Sequence, residues 1–126
     1  MFHLYQTDDG HELPFEYLPC AALTPKYGMT MVMSGGKLSL ASGAVKPTYI
    51  CAVESSRSVT AGTIIPAVRI DTDQRWRTET SASSFSAGTA YTLASTGLGV
   101  TTTSTSGVFT VDGLDTDAGY VYGRFL

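Results

Sequence analysis

Apolar and polar residues alternate in short runs along this chain, and apolar positions at i, i+3, i+4 and i+7 are not sustained over any window longer than about eight residues. The pattern predicts strands. Met29, Met31 and Met33 alternate with Thr30 and Val32, and Leu38 and Leu40 flank Ser39. Both runs can therefore turn one face inward, and Gly35-Gly36 between them supplies the positive φ angles of a tight hairpin. Residues 48–55, TYICAVES, form a nearly unbroken apolar run, the signature of a strand covered on both faces. Residues 63–70, TIIPAVRI, read as another strand, with Pro66 pointing to an edge position, a bulge or a break. RWRTET (75–80) reads as a partly exposed strand and SASSFSAG (81–88) as a loop. AYTLAS (90–95), GVTTTSTS (99–106), GVFTVDG (107–113) and GYVYGRFL (119–126) give a second series of short strands. In the last, Tyr120, Tyr122 and Arg124 alternate with Val121, Gly123 and Phe125, and this terminal strand is expected to pair within the barrel and close it. Seven or more strands at about ten-residue spacing predict a small all-β barrel or sandwich.

The first 24 residues break the pattern. Phe2, Tyr5, Phe15 and Tyr17 stand between polar breaks and prolines without sustained alternation. The expectation is an extended N-terminal arm over residues 1–24, followed by a β domain over 25–126. Rings on such an arm have to find cover on the parent domain or on a neighbour. Removing the arm should then leave a folded domain.

The 126 residues suit one domain. Only 15% are charged, against about 25% in a typical soluble domain, so Ser, Thr and Gly are left to cover the surface. The net charge is −3 and the eight basic residues are scattered, which disfavours nucleic-acid binding. No stretch approaches the roughly 20 apolar residues of a membrane span, and the opening residues lack the basic and apolar regions of a secretion signal. Synthesis and use in a cytoplasm are expected. Cys20 and Cys51, without CxxC spacing, read as buried free thiols.

Candidate chemistry is thin. His3 and His11 with Asp8, Asp9 and Glu12 match no closed zinc or calcium spacing, and Asp71-Thr72-Asp73 departs from a calcium loop at Arg75. Asp112, Asp115 and Asp117 lie in a glycine-containing turn, where Asp side chains bond nearby amides. No GxSxG elbow, SxxK pair or phosphate-binding glycine loop is present. No enzyme, cofactor or metal is expected. Arg75, Trp76 and Arg77 are candidates for an interface or ligand contact, Trp and Arg being frequent hot-spot residues. The plainer reading makes Trp76 a core residue, with the arginines facing solvent and paired to Asp71, Asp73 or Glu79.

The order of several stretches carries a resemblance. They are Leu18-Pro19-Cys20-Ala21-Ala22, Thr24-Pro25-Lys26-Tyr27-Gly28, Gly35-Gly36-Lys37-Leu38, Pro47-Thr48-Tyr49-Ile50 and Thr63-Ile64-Ile65-Pro66-Ala67-Val68, followed by 87–93, 105–109 and 119–125. From about residue 17 onward the chain resembles the head decoration, or capsid-cementing, proteins of tailed bacteriophages, the lambda-decoration-like group. The resemblance implies a small β-barrel or β-tulip domain, no enzymatic activity, and a homotrimer on the exterior of an expanded virion head, assembled in the host cytoplasm. It implies the major capsid protein as partner, and no nucleic acid or membrane. It maps the capsid-contacting role onto residues 1–24, with Phe2, Tyr5, Phe15, Tyr17 and Leu18 as the contacts. A second class of function stays open: a receptor- or carbohydrate-binding module of a phage fibre or tail, with Trp76, Tyr120 and Tyr122 as sugar platforms.

Overall fold

The computed structural model describes all 126 residues and contains strands but no α-helix. The all-β domain expected from the alternation is what the chain forms. Ten strands are shared between two five-stranded antiparallel sheets. Sheet A has the order β1 (Phe2–Thr7), β7 (Gln74–Glu79), β10 (Tyr120–Phe125), β9 (Phe109–Asp115), β8 (Ala90–Tyr91). Sheet B has the order β2 (Glu16–Pro19), β6 (Ile64–Arg69), β5 (Tyr49–Cys51), β3 (Thr30–Ser34), β4 (Lys37–Leu40).

Sheet A is apolar on one side only. Trp76, Val121, Phe125, Phe109 and Val111 point inward, joined by Phe2, and pack against Ile50, Val32 and Val68 of sheet B. Phe2, Phe109 and Phe125 form a ring cluster with centroids 5.0–5.5 Å apart. The other face of sheet B carries a second core of Tyr49, Cys51, Met31, Leu38, Ile65 and Ala67, covered by loop residues that include Leu23, Val53, Val59 and Leu98. This explains why Tyr49, Ile50 and Cys51 are all buried, as their unbroken apolar run predicts. Cys20 and Cys51 are free and buried in this second core, and desolvation raises both thiol pKa values.

The β3–β4 hairpin turns at Gly35-Gly36 with φ of +57° and +78°, and Ser34 faces Lys37 across it. Pro66 lies in β6, an inner strand, which differs from an edge position. The ladder accommodates it because Ala52, opposite Pro66 by register, lies one residue past the end of β5. Ala52 donates its N–H to the Pro66 carbonyl at 3.0 Å, and no N–H is asked of the proline in return.

Three expectations are corrected. Residues 1–24 are not a free arm, because β1 pairs with β7 at the edge of sheet A and β2 pairs with β6 at the edge of sheet B. Phe2 is 1% exposed in the main core, and Leu18 is half-buried against the second. β10 is paired as expected but is not a closing strand; it lies at the centre of sheet A between β7 and β9. Residues 99–106 form no regular strand: Val100 makes an isolated antiparallel bridge to Leu93, Thr101 donates its N–H to the Thr92 carbonyl at 2.8 Å and Thr92 donates to the Thr103 carbonyl at 3.0 Å. This irregular pairing runs no further, the Thr101 hydroxyl accepting the Thr103 N–H at 3.1 Å.

Candidate functional site

The chain's crossing from sheet A to sheet B leaves apolar groups exposed where the two sheet edges meet. Pro14 and the Asp8-Asp9-Gly10 turn carry the backbone from β1 to β2, and a groove of about 460 Å³ opens beneath this crossing. Phe2, Trp76, Ile50 and Val68 line its floor, and Leu4, Phe15 and Tyr27 stand exposed at its rim. By strand alternation Phe15 and Tyr17 share a face, and Tyr17 opposes Pro66, which lies on the same face as Ile64. The apolar surface thus continues from the groove along the edge of sheet B. Tyr17 is 67% exposed, Ile64 58% and Phe15 55%. Of the five residues expected on a contacting arm, Tyr5, Phe15 and Tyr17 are exposed, while Phe2 and Leu18 serve the cores.

One glycine fixes the groove's geometry. Gly28 has φ +80°, accepts the Phe2 N–H at 3.0 Å and donates its own N–H to the Cys51 carbonyl at 2.9 Å. It therefore ties the first strand of sheet A to the middle of sheet B. A Cβ at this position would lie 2.7–2.9 Å from Met1 and the Phe2 backbone.

The outer face of sheet A has a different character. Alternation along β7 buries Trp76, at 3% exposed, and turns Arg75, Arg77 and Glu79 outward. Trp76 donates its indole N–H to Gln74 at 3.2 Å and offers no ring face to solvent, so it cannot be a sugar platform. The two arginines interleave with tyrosines. The Arg75 guanidinium lies 5.1 Å from the Tyr5 ring and 5.0 Å from Tyr122, and Arg77 lies 4.4 Å from Tyr120 and 5.8 Å from Tyr5. Tyr5 reaches both because the β1–β7 register slips between Leu4 and Gln6, leaving it as the extra residue of a bulge.

Arg75 is bound by Asp112 of β9 at 2.6–3.1 Å, and these hydrogen bonds push its pKa upward. The partner is not Asp71, Asp73 or Glu79. Glu79 instead accepts hydrogen bonds from the Met1 amino group at 2.6 Å and His3 Nε2 at 3.0 Å. Burial alone would raise the Glu79 pKa; these bonds outweigh it and hold it at about 2. Local sequence reasoning missed Asp112 because the pairing is set by the β9–β10–β7 order.

A third cluster joins Asp9, His11 and Asp73, whose donor atoms lie within 4.8 Å of one another. His11 Nδ1 bonds the Asp9 carboxylate and sits 3.8 Å from Asp73. The hydrogen bond to Asp9 is the main cause that raises the imidazole's pKa and the main cause that lowers the carboxylate's. In this arrangement two carboxylates flank the His11 imidazole and link the first turn of the chain to the β6–β7 turn. Of the histidine and acidic residues grouped from sequence, His3, Asp8 and Glu12 are not in the cluster; Asp8 instead pairs with Arg124 at 2.9 Å. At the last turn, Asp115 accepts the N–H groups of Asp117 and Ala118 at 3.1 and 3.0 Å, as its turn position predicts.

No family model, curated protein or solved structure matches this chain.

Proposed function

We propose that this protein decorates and stabilises the outside of an expanded bacteriophage head, docking on the major capsid protein through the apolar groove and the edge of sheet B. The observation that carries the reading is the exposed apolar strip of Leu4, Phe15, Tyr27, Tyr17 and Ile64 on a small, lightly charged domain. A contiguous apolar surface of this kind is characteristic of a protein-binding face. The order of glycines and strands that resembles the decoration proteins supports the same reading. The docking face is built into the sheets at the crossing from β1 to β2. It needs no ordering of a free segment on binding, so less of the contact energy is offset by lost chain entropy. As homotrimers on the shell, three such faces would act together, and weak contacts per subunit would sum to firm attachment. Binding to the expanded lattice and not to ruptured states then stabilises the head by mass action.

The test is co-sedimentation with expanded shells assembled from a tailed-phage major capsid protein. Phe15→Ser with Tyr17→Ser should fold as the parent does and lose shell binding. Full retention of binding by the double variant would overturn the groove as the docking face.

A further inference from the structure

The outer face of sheet A holds a cation whose donors are not engaged. Arg69 is paired with Glu16, Arg75 with Asp112 and Arg124 with Asp8, whereas Arg77 forms no ion pair and its guanidinium donates no hydrogen bond. The acidic residue two positions on, on the same strand face, is Glu79, and its carboxylate is occupied by the Met1 amino group and His3. Arg77 nonetheless has aromatic neighbours, its guanidinium carbon lying 4.4 Å from the Tyr120 ring centroid and 5.8 Å from that of Tyr5. A cation–π contact of this kind leaves the N–H donors available for an acceptor.

We propose that Arg77, positioned by Tyr5 and Tyr120, is a carboxylate-binding site that takes an aspartate or glutamate side chain of a partner protein. A planar carboxylate matches the guanidinium fork with two parallel N–H···O bonds. Because the two rings already restrain the long side chain, less rotamer freedom is left to lose on binding. Charge points the same way: on a chain of net charge −3, this face offers a surplus cation that an acidic group can meet without breaking an existing pair. A protein carboxylate fits better than an acidic saccharide. Sugar rings need open aromatic faces, and here guanidinium groups lie over Tyr5, Tyr120 and Tyr122 while Trp76 faces the core. Tyrosine and arginine side by side are the composition of protein-interface hot spots. The assignment depends neither on the groove nor on a phage shell as partner.

The test titrates the isotopically labelled full chain with a hexaglutamate peptide at low salt and follows each arginine Nε–H signal. A saturable shift is expected at Arg77, larger than at Arg57, a loop arginine that also lacks an ion pair. Arg77→Gln should abolish binding. Arg77→Lys, which keeps the charge and loses the fork, should weaken it about tenfold. Equal responses at Arg77 and Arg57, wild-type affinity in Arg77→Lys, or tighter binding of oligogalacturonate than of the peptide would each overturn the proposal. Should Arg77→Gln fail to fold, the wild-type comparison of Arg77 with Arg57 and the Arg77→Lys affinity still decide it.

Discussion

Sheets A and B have the same strand count and the same antiparallel pairing, yet they are covered differently. Sheet A is wet on one face, so its inner strands alternate: Trp76 and Thr78 inward against Arg75 and Arg77 outward, Val121 and Phe125 inward against Tyr120 and Tyr122. Sheet B is buried on both faces over its middle strands, between the main core and a second core closed by loops. Their unequal cover decides where each sheet can carry function. Sheet A can vary its outer face without touching the core, which is where the arginine and tyrosine rows stand. Sheet B has spare surface at its margins, at the groove and the β2 edge and on the β3–β4 hairpin, where Met33 and Leu40 are exposed.

The largest effect should come from breaking what the two sheets share. Deleting residues 1–24 removes an edge strand from each sheet, takes Phe2 out of the main core, and takes Cys20 and Leu18 out of the second. The truncated chain is expected to be unfolded, read as loss of amide dispersion in its NMR spectrum. A well-dispersed spectrum would mean that the sheets stand without their first strands. For scale, Phe2→Ala alone should cost about 3–5 kcal/mol, the usual range for a buried ring, in urea unfolding.

A smaller effect separates the joint between the sheets from the tip of sheet B. Gly28 and Gly36 both have strongly positive φ, +80° and +78°. At Gly36 a Cβ would meet nothing within 4 Å, so Gly36→Ala should cost only the backbone term, about 1–2 kcal/mol. At Gly28 the same methyl group collides with Met1 and the Phe2 backbone, adding about 1–3 kcal/mol. Urea midpoints of the two variants give the difference directly. Equal losses would show that β1 moves away from Gly28 at little cost.

What could be read from the sequence follows the same division. Local patterns were sufficient for the β3–β4 hairpin, for β5 and for the facing of β10, because their alternation, glycines or unbroken apolar run reflect how each face is covered. They failed where pairing joins distant parts of the chain. His3 lies opposite Arg77, more than half the chain away, and nothing near Phe2 announces that partner, so the first strands read as an arm. The β propensity of threonine at 99–106 produced only a short, irregular pairing with residues 92–94, an isolated bridge and three backbone bonds in place of a regular ladder. The candidate sites divide likewise. Alternation placed Arg75 and Arg77 around Trp76, but the contact with Tyr5, the pairing with Asp112 and the groove at the sheet joint are products of topology.

The smallest effect tests how little the wet face of sheet A contributes to stability. Glu79 has its pKa lowered from 4.5 to about 2 in the folded protein, so between those values the unfolded state binds more protons than the folded one. Its contribution is therefore complete above about pH 4.5 and disappears as the pH falls towards 2. The side chain is 49% exposed, and solvent screening limits the loss to about 1 kcal/mol or less, well under what the full shift would convert to. Denaturation midpoints of wild type and Glu79→Gln, taken at intervals from pH 6 down to 2, should differ at the top of the range and converge at the bottom. A constant gap at every pH would mean that Glu79 acts through packing, and that the charged links from Met1 and His3 do not hold β1 against β7.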